Sequence, residues 1–459
     1  MTLIYNALSG ALAAQAALSA TSQNVANVMT PGYTRQGALL ASVQPLQGGV
    51  LSAGSGVAVP SLLRFSDGYK SLQLWSAASE LGLRATAQPY LTQIEQVLGD
   101  DESGINSGLD AFFSAMNAAS VDPTSNPLRQ QVITTADALA QRFNSLNQVL
   151  SNQRASVAQQ RLTAVAQINT LSGQIAKLNA EVALTQGTGV NPSGLIDARD
   201  SKIDELAALV ALQVVEQPDG SRSVSLRGGQ PLVVGARAAT LSAQTHPDGS
   251  QNLKVDFANE SFSLANTRLG GSLGGLAEFE DGSLAPLMAS ITSMAQQLAQ
   301  NVNTQLAAGY AVDGSPGQPL FMFDSTGATG MLNVSAGMTA ADLAFSQNAA
   351  TPGNSDNLLA LIALKSQPVT LPSLGSVSLS DAVTQLVAQL GMASQQNTAG
   401  LTTAQTVRNQ AEESWKSTSG VNLDEEAANL IQYQQMYQAN MKVVAVANEL
   451  FNSTLAMLG

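Results

Sequence analysis

Few side chains in this sequence can act as nucleophiles, soft metal ligands or general bases near neutral pH. The 459 residues include no cysteine and a single histidine, His246. Thiol nucleophiles, disulfides, Cys/His zinc sites and relays that place imidazole beside Ser or Cys are therefore excluded. His246 lies in the turn-like segment THPDGS, where we expect a solvated loop residue.

The most suggestive carboxylates are Asp197 and Asp200, which lie on either side of Arg199 in the segment IDARD. Such a pair could serve acid-base catalysis or bind a metal ion, but a metal site needs further converging oxygens. We interpret the segment as a polar turn and helix start with local ion pairing. The acidic run 100–102 lies in a Gly-flanked loop, where solvation explains it. The sequence thus predicts no catalytic residue, no metal ion and no cofactor.

A glycine-rich segment, GGSLGGLAEFED at 270–281, could suggest a phosphate-binding loop. Such loops carry a Lys followed by Ser or Thr, or open a βαβ crossover, and neither feature is found here. We therefore predict that these glycines form turns and strand edges.

The overall charge argues against polyanionic partners. Thirty-three acidic and 20 basic residues give a net charge of −13, which repels nucleic acids and anionic lipid surfaces. The first charged residue is Arg35, so the basic start of a Sec-type signal is missing. We also find no run of about 20 nearly unbroken apolar residues, and we expect no membrane insertion.

Both ends of the chain carry apolar stripes with heptad spacing, which predicts coiled-coil-like helices. The N-terminal stripe consists of Ile4, Leu8, Ala11, Leu18 and Val25. The C-terminal stripe consists of Leu423, Leu430, Tyr437, Val444, Phe451 and Leu458, flanked by Met441 and Leu455. A helix over 423–458 would be about 54 Å long. Because one chain cannot fully cover both stripes, we predict that these residues form contacts between subunits.

The first helix is predicted to end near Met29, in a motif turn. The residues that favour this turn are Asn24, Asn27, Pro31, Gly32 and Tyr33. Asparagine side chains bond to nearby backbone, proline disfavours a helical residue before it, and glycine permits positive φ.

The two terminal segments resemble those of a known family. LSGALAAQAALSATSQNVANVMTPGYTRQ is similar to the N-terminal motif of the bacterial flagellar axial proteins, which form the rod, the hook and the hook-associated structures. SGVNLDEEAANLIQYQQMYQANMKVVAVANELFNSTLAML is similar to the C-terminal motif of the same family. The two motifs stand in the family's order, at opposite ends of the chain.

The interior is helical in period from 67 to 210, with breaks near 99–103, 121–127 and 187–195. The period then shifts toward two, which predicts short strands with turns at 218–220 and 227–229. Helical periodicity resumes at 284–309 and covers most of 356–415, apart from a hairpin or loop at 371–379.

The predicted fold class is mainly α with a β insert, in discontinuous domains. We expect a terminal coiled-coil domain (1–32 with 424–459), a mainly helical bundle (33–210 with 284–423) and one outer β-rich domain (211–283). This order pairs the termini and places the middle of the chain outward.

The helical interior and the IDARD segment resemble the hook-associated members of the family, which commonly carry Arg where Glu280 stands. The resemblance implies a non-enzymatic structural subunit that joins hook to filament. Its partners would be copies of itself in a ring within a helical tube, the hook protein, and a second junction protein with the filament. It also implies flagellar type III export, a cytoplasmic chaperone on the C-terminal helix, and an extracellular flagellar location. The alternatives are another axial protein of the rod or hook, or an exported protein that binds surfaces or acts on the cell wall.

Overall fold

The computed structural model describes residues 2–44, 54–100, 104–246, 250–266, 269–324 and 330–458. Within these ranges the helices are α1 (Thr2–Ala26), α2 (Gly68–Leu98), α3 (Ile105–Ala119), α4 (Asn126–Gly187), α5 (Ser193–Leu209), α6 (Gly271–Phe279), α7 (Ala285–Ala307), α8 (Asp356–Ala363), α9 (Leu379–Ser419) and α10 (Leu423–Leu458). The strands are β1 (Gln36–Ser42), β2 (Val57–Arg64), β3 (Leu212–Glu216), β4 (Arg222–Leu226), β5 (Pro231–Val234), β6 (Arg237–Ala238), β7 (Thr240–Thr245), β8 (Gln251–Phe257), β9 (Glu260–Leu264), β10 (Phe321–Phe323), β11 (Leu332–Val334), β12 (Pro368–Leu371) and β13 (Gly375–Ser378). The predicted fold class, mainly α with a β insert and paired terminal helices, is confirmed.

Helix α4 connects the two large hydrophobic cores of the chain. It is 62 residues long, or about 93 Å at the usual rise per residue. Its first half, which includes Val132 and Phe143, packs with α3, α7 and the start of α9 in the first core. Its second half, which includes Ile168 and Ile175, packs with α5 and the strands of the β insert in the second core. One helix therefore links the helical body to the outer strands.

The β insert consists of two antiparallel sheets with the strand orders β3-β4-β5-β6 and β7-β8-β9. Each strand pairs with its neighbour in sequence, because short turns join them. The turn between β3 and β4 includes Gly220, and the next turn includes Gly229; both glycines have positive φ. The predicted strands and both predicted turns are confirmed. The segment 371–379, predicted as a hairpin or loop, lies mostly in the hairpin of β12 and β13.

Gly270 has the positive φ expected of a turn residue, but the segment that follows it is helical, so the prediction of turns and strand edges is wrong for Gly274 and Gly275. Gly271–Phe279 form α6, and a π-helical turn (Glu280–Leu284) leads into α7. A Cβ atom on Gly275 would lie only 2.3 Å from the carbonyl oxygen of Leu83 on α2. The glycines therefore permit close helix packing, a requirement that spacing alone does not distinguish from a turn.

The hairpin formed by β1 and β2 was not predicted from the sequence. Its strands pair from Gln36 with Arg64 to Ser42 with Val57, with an irregularity between Leu39 and Ala41. The hairpin packs along α1, where the amide of Val57 donates a hydrogen bond to Ser9 Oγ at 3.2 Å. Residues 36–42 and 57–64 thus form strands at the start of the range 33–210, which was predicted to be a mainly helical bundle.

One helical segment, Leu3–Ala26, is long and apolar enough to cross a membrane by length and composition alone. This finding differs from the expectation that no such stretch occurs. Much of its apolar character comes from alanines, and several of them, such as Ala13 and Ala14, are buried within this chain.

Candidate assembly site at the paired terminal helices

Helices α1 and α10 pack against each other as an antiparallel pair, with small residues at the contact. Ala7, Ala14 and Ala17 of α1 are buried. A Cβ atom on Gly10 would lie 2.6 Å from Asn440 Oδ1, so the side-chain amide of Asn440 packs directly against the Gly10 backbone. The small residues thus face inward, and larger apolar side chains remain for the outer surfaces.

The predicted N-terminal stripe does not form a single face. Ala11 is 3% exposed, Ile4 and Leu18 are half-buried, and Leu8 (48%) and Val25 (39%) are exposed. The remaining large apolar residues, Leu3, Tyr5 and Leu12, are also exposed. A seven-residue repeat drifts by about 20° per heptad around a straight α-helix, which explains why the stripe changes sides.

On α10 the predicted stripe lies largely outside the contact with α1. Leu423, Leu430, Tyr437, Met441, Phe451 and Leu455 are exposed, Val444 is half-buried, and the side chain of Leu458 lies outside the described residues. The line of α10 that packs on α1 consists of buried or half-buried residues, and Gly10 of α1 lies against its middle: Tyr433, Met436, Asn440, Val444 and Ala447. Their three- and four-residue spacing could have identified them, but their mixed polarity conceals the face.

A second exposed apolar set on α10 was also missed. Val443, Val446, Leu450 and Met457 are exposed and do not belong to the predicted stripe. The α1–α10 pair therefore leaves apolar residues uncovered on more than one side.

The predicted motif turn holds the end of α1 to the hairpin through Asn24. This side chain is 1% exposed; its Nδ2 donates to the carbonyl of Gln36 at 2.8 Å, and its Oδ1 accepts from the Gln36 amide at 3.0 Å. The hydroxyl of Tyr33 donates to the same Oδ1 at 2.9 Å. Asn24 thus connects the end of α1 to the turn and to β1 through hydrogen bonds.

The remaining turn residues act locally. Asn27 Nδ2 donates to the carbonyl of Gln23 at 2.9 Å, and its Oδ1 accepts from Thr30 Oγ1 at 3.2 Å. Pro31 is exposed, and Gly32 has a φ of 77°, as its residue type predicts.

The IDARD segment forms a hub of ion pairs that joins the turn after α1 and the β1–β2 hairpin to α5 and β4. Arg64 on β2 bonds Asp197 Oδ1 through Nε at 2.9 Å, and its Nη2 bonds Asp200 Oδ2 at 3.1 Å. The amide of Thr34 donates to Asp197 Oδ2 at 3.0 Å. Arg222 on β4 contacts Asp200 Oδ1 at 2.5 Å. The predicted local pairing is thus mainly long-range, and the carboxylates are occupied by arginines rather than available for catalysis.

Burial next to this hub raises the pKa of Tyr33 to about 12, and the negative charges of Asp197 and Glu426 add to the shift. Tyr33 therefore stays neutral and donates its hydroxyl proton throughout the ordinary pH range. At the other side of the joint, Arg35 pairs with Glu425, and its amide donates to the carbonyl of Ser419 at 2.8 Å. The start of α10 is thereby tied to the segment that leaves α1.

Glu280 lies between the two cores and forms buried ion pairs. Its Oε2 lies 2.9 Å from Arg161 Nη1, and its Oε1 lies 3.3 Å from Arg154 Nε; both arginines are on α4. Arg161 is fully buried. An acidic residue fits this position because Glu280 has two arginine partners there.

Among the described residues, no group of three or more His, Asp or Glu side chains is arranged to hold a metal ion. His246 Nε2 contacts Asn252 Nδ2 at 2.8 Å in an exposed position. Residues 101 and 102 of the acidic run lie outside the described residues.

The chain is similar to known proteins over its length. Residues 91–321, half of the chain, match the family model described as the flagellar hook-associated protein FlgK helical domain. Residues 4–34 match the model for the flagella basal body rod protein, and residues 417–457 match the model for the C-terminal part of the flagellar basal body rod FlgEFG protein.

Individual relatives agree with these matches. Flagellar hook-associated protein 1 of Salmonella typhimurium is 28% identical over 99% of both chains. The protein of the same name from Bacillus subtilis is 27% identical over 97% of this chain and 96% of its own. The solved structure of the flagellar hook junction protein FlgK from Burkholderia pseudomallei is 30% identical and superimposes with a TM-score of 0.52. That superposition covers 55% of this chain and 47% of the other.

Proposed function

Since this chain belongs to the family of flagellar hook-associated proteins that share the FlgK helical domain, we propose that it is a structural subunit of the junction between hook and filament. The observation that carries the proposal is the terminal helix pair, which buries alanines and leaves Leu430, Tyr437 and Met441 exposed. Apolar surfaces of this kind are typical of contacts with other proteins.

The physical case for self-assembly rests on the composition of α10. Between Ala427 and Leu458, Lys442 and Glu449 are its charged residues. Neighbouring copies can therefore bury this surface without desolvating many charges, which would be costly. The subunit interface that we propose comprises the residues of the two terminal stripes, apart from Ala11, which is already buried within its own chain.

Deletion of the gene tests the proposed function. We expect cells that build hooks but carry no attached filaments and release filament protein into the medium. Complementation with the intact chain should restore attachment. Cells that keep attached filaments after the deletion would contradict the proposal, whereas cells without hooks would favour the rod or hook alternative that the terminal family matches suggest.

We further propose that the chain leaves the cell through the flagellar type III channel and that a cytoplasmic chaperone covers α10 before export. The exposed apolar residues of this helix support a need for such cover in the cytoplasm. The chain should be found outside wild-type cells and remain inside cells that lack the export system. Secretion that persists without that system would contradict the proposed route.

In the assembled flagellum we expect copies of this chain to form a ring in continuity with the helical tube. The hook protein would contact it on one side, and a second junction protein with the filament on the other. Because the named relatives are flagellar structural proteins, we propose no enzymatic role for this chain.

A further inference from the structure

Most exposed apolar residues of α10 fall on two opposite sides of the line that contacts α1, apart from Ile431 and Phe451. We define the first flank as Leu423, Leu430, Tyr437 and Met441, which are 37–51% exposed. We define the second flank as Val443, Val446, Leu450 and Met457, which are 41–81% exposed.

Helix geometry separates the two flanks. At 100° per residue, Tyr437 and Met441 are turned roughly 60° and 100° one way from the α1-facing Asn440. Val443 and Leu450 are turned roughly 60° and 80° the other way. A single flat contact therefore cannot cover both flanks of one α10 helix.

The flanks also lie at different heights along the helix. Beyond Met441 the polar Asn448 interrupts the line of the first flank, and the exposed Leu455 follows on the same side. The second flank begins at Val443, and Ala439 and Gln432 precede it on the same side. The second flank is thus confined to the later half of α10, whereas the first flank lies mainly in the earlier half.

We propose that the first flank of one copy packs against the second flank of the next copy, with the two α10 helices parallel and displaced along their axes by about 13 residues, or about 20 Å. The inference rests on the proposed self-assembly of this chain and specifies its geometry. A parallel contact without displacement would place Leu430 and Tyr437 opposite Gln432 and Ala439. The displacement places them opposite Val443 and Leu450 instead.

A second copy is the occupant that best fits each flank. The flanks are similar in length, and both lack charged residues. The exposed patch on α1, from Tyr5 to Leu12, is shorter than either flank. Because the contact joins unlike surfaces, each copy retains a free flank for another neighbour, so the contact generates a staggered series rather than a closed pair.

The chain contains no cysteine, so engineered cysteines report the contact directly. We would introduce Y437C and L450C together in the full chain, let it assemble on hooks in cells, and oxidise isolated hooks with their attached junctions. The two positions on one helix are about 20 Å apart, too far for a disulfide within a chain. We expect a ladder of dimers, trimers and larger products on a non-reducing gel, and monomers from either single variant.

Two further pairs control for the displacement and for folding. L430C with V443C has the same 13-residue offset and should give a ladder as well. M441C with V443C places the cysteines at almost equal heights on the two flanks and should give monomers.

The outcomes separate failure of this contact from failure of the proposed function. Dimers from a single variant would overturn the unlike-surface contact, and a ladder from M441C with V443C would overturn the displacement. Monomers from both 13-residue pairs in filament-bearing cells would show that another copy of this chain does not cover the flanks, while leaving the junction function intact. If one pair prevents filament attachment, the other pair decides. If neither pair attaches filaments, the variant Y437S with L450S decides. Filament attachment by this variant would show that both flanks tolerate small polar residues, and it would overturn the contact. Lost attachment with a folded chain is the result that a buried contact predicts.

Discussion

At the scale of residues, the hub around Asp197 has the largest structural consequences. Arg64 and Asp197 are only 13% and 10% exposed, and they connect β2 to α5. A buried ion pair contributes little net stability, but removal of one partner leaves an uncompensated charge. The two aspartates that most resemble a catalytic pair therefore act as structural links.

We predict that Asp197→Ala lowers the free energy of unfolding by about 1–3 kcal/mol, because the buried Thr34 amide loses its acceptor and Arg64 keeps Asp200 as its acidic partner. His246→Ala, a change at an exposed loop residue, should alter it by less than about 0.5 kcal/mol. Urea denaturation of the purified chains measures both values. Equal unfolding midpoints for Asp197→Ala and the unaltered chain would contradict the role of the hub.

The raised pKa of Tyr33 predicts a specific alkaline sensitivity. In the unfolded chain a tyrosine ionises near its usual pKa of about 10, whereas in the folded chain Tyr33 keeps its proton until about pH 12. Between these values the unfolded state binds fewer protons, so the stability from Tyr33 is present below pH 10 and is lost as pH rises toward 12. As pH rises from 9.5 to 11.5, the free energy of unfolding should therefore fall less for Tyr33→Phe than for the unaltered chain. Parallel loss in thermal melts of the two proteins over this range would exclude the effect.

At the scale of elements, the contact between α1 and α10 depends on Gly10. We predict that Gly10→Val separates the two helices, because even a Cβ atom there would lie within 3 Å of the Asn440 side chain. Gly173→Val, also within a helix, is the matched control because its Cβ would have no neighbour within 4 Å. Amide exchange over residues 2–26 should become faster in the first variant and stay unchanged in the second.

The outer side of α10 should matter for assembly rather than for the fold of one chain. An acid at the exposed Leu430 should leave the melting temperature of the monomer almost unchanged, yet prevent incorporation at the hook, because a carboxylate buried between copies costs several kcal/mol. Val444→Asp should prevent incorporation too. Because Val444 is half-buried beside α1, this substitution should destabilise the α1–α10 pair more than Leu430→Asp does. Secretion and hook incorporation are measured separately, so that an export defect is recognised. A melting temperature that falls by many degrees in Leu430→Asp would show that this face belongs to the chain's own core.

At the scale of the whole molecule, the terminal pair differs from the two cores that α4 connects. On the α1 side its contact is made largely of alanines and a glycine, which bury little apolar area, whereas the cores contain Phe112, Phe143 and Phe279. The termini should therefore be the least stable part of the dilute monomer and gain stability on assembly.

We predict that residues 2–26 and 425–458 exchange their amide protons much faster than α4 in dilute monomer and become protected in the assembled junction. Hydrogen exchange followed by mass spectrometry compares the two states. Strong protection of both ends in a monomeric sample would show that the α1–α10 contact is sufficient by itself.

The sequence alone determined the features that depend on local chemistry. Apolar periodicity located α2–α5, α7 and α10, turn residues located the strands of the insert, and the missing cysteines and single histidine excluded most catalytic chemistry. These signals are readable because helix and strand periods and turn preferences arise from neighbouring residues.

Only the tertiary structure decided which residues meet across the chain. It placed Arg64 on Asp197, 133 residues away, and Glu280 on Arg161, and it packed Gly275 of α6 against Leu83 of α2. It also divided the apolar residues of α10 among an inner line and two flanks, because a seven-residue repeat drifts around a straight helix and α1 covers just one side. Long-range pairing and the direction of a helix face depend on packing partners that are distant in sequence, so no local pattern could have specified them.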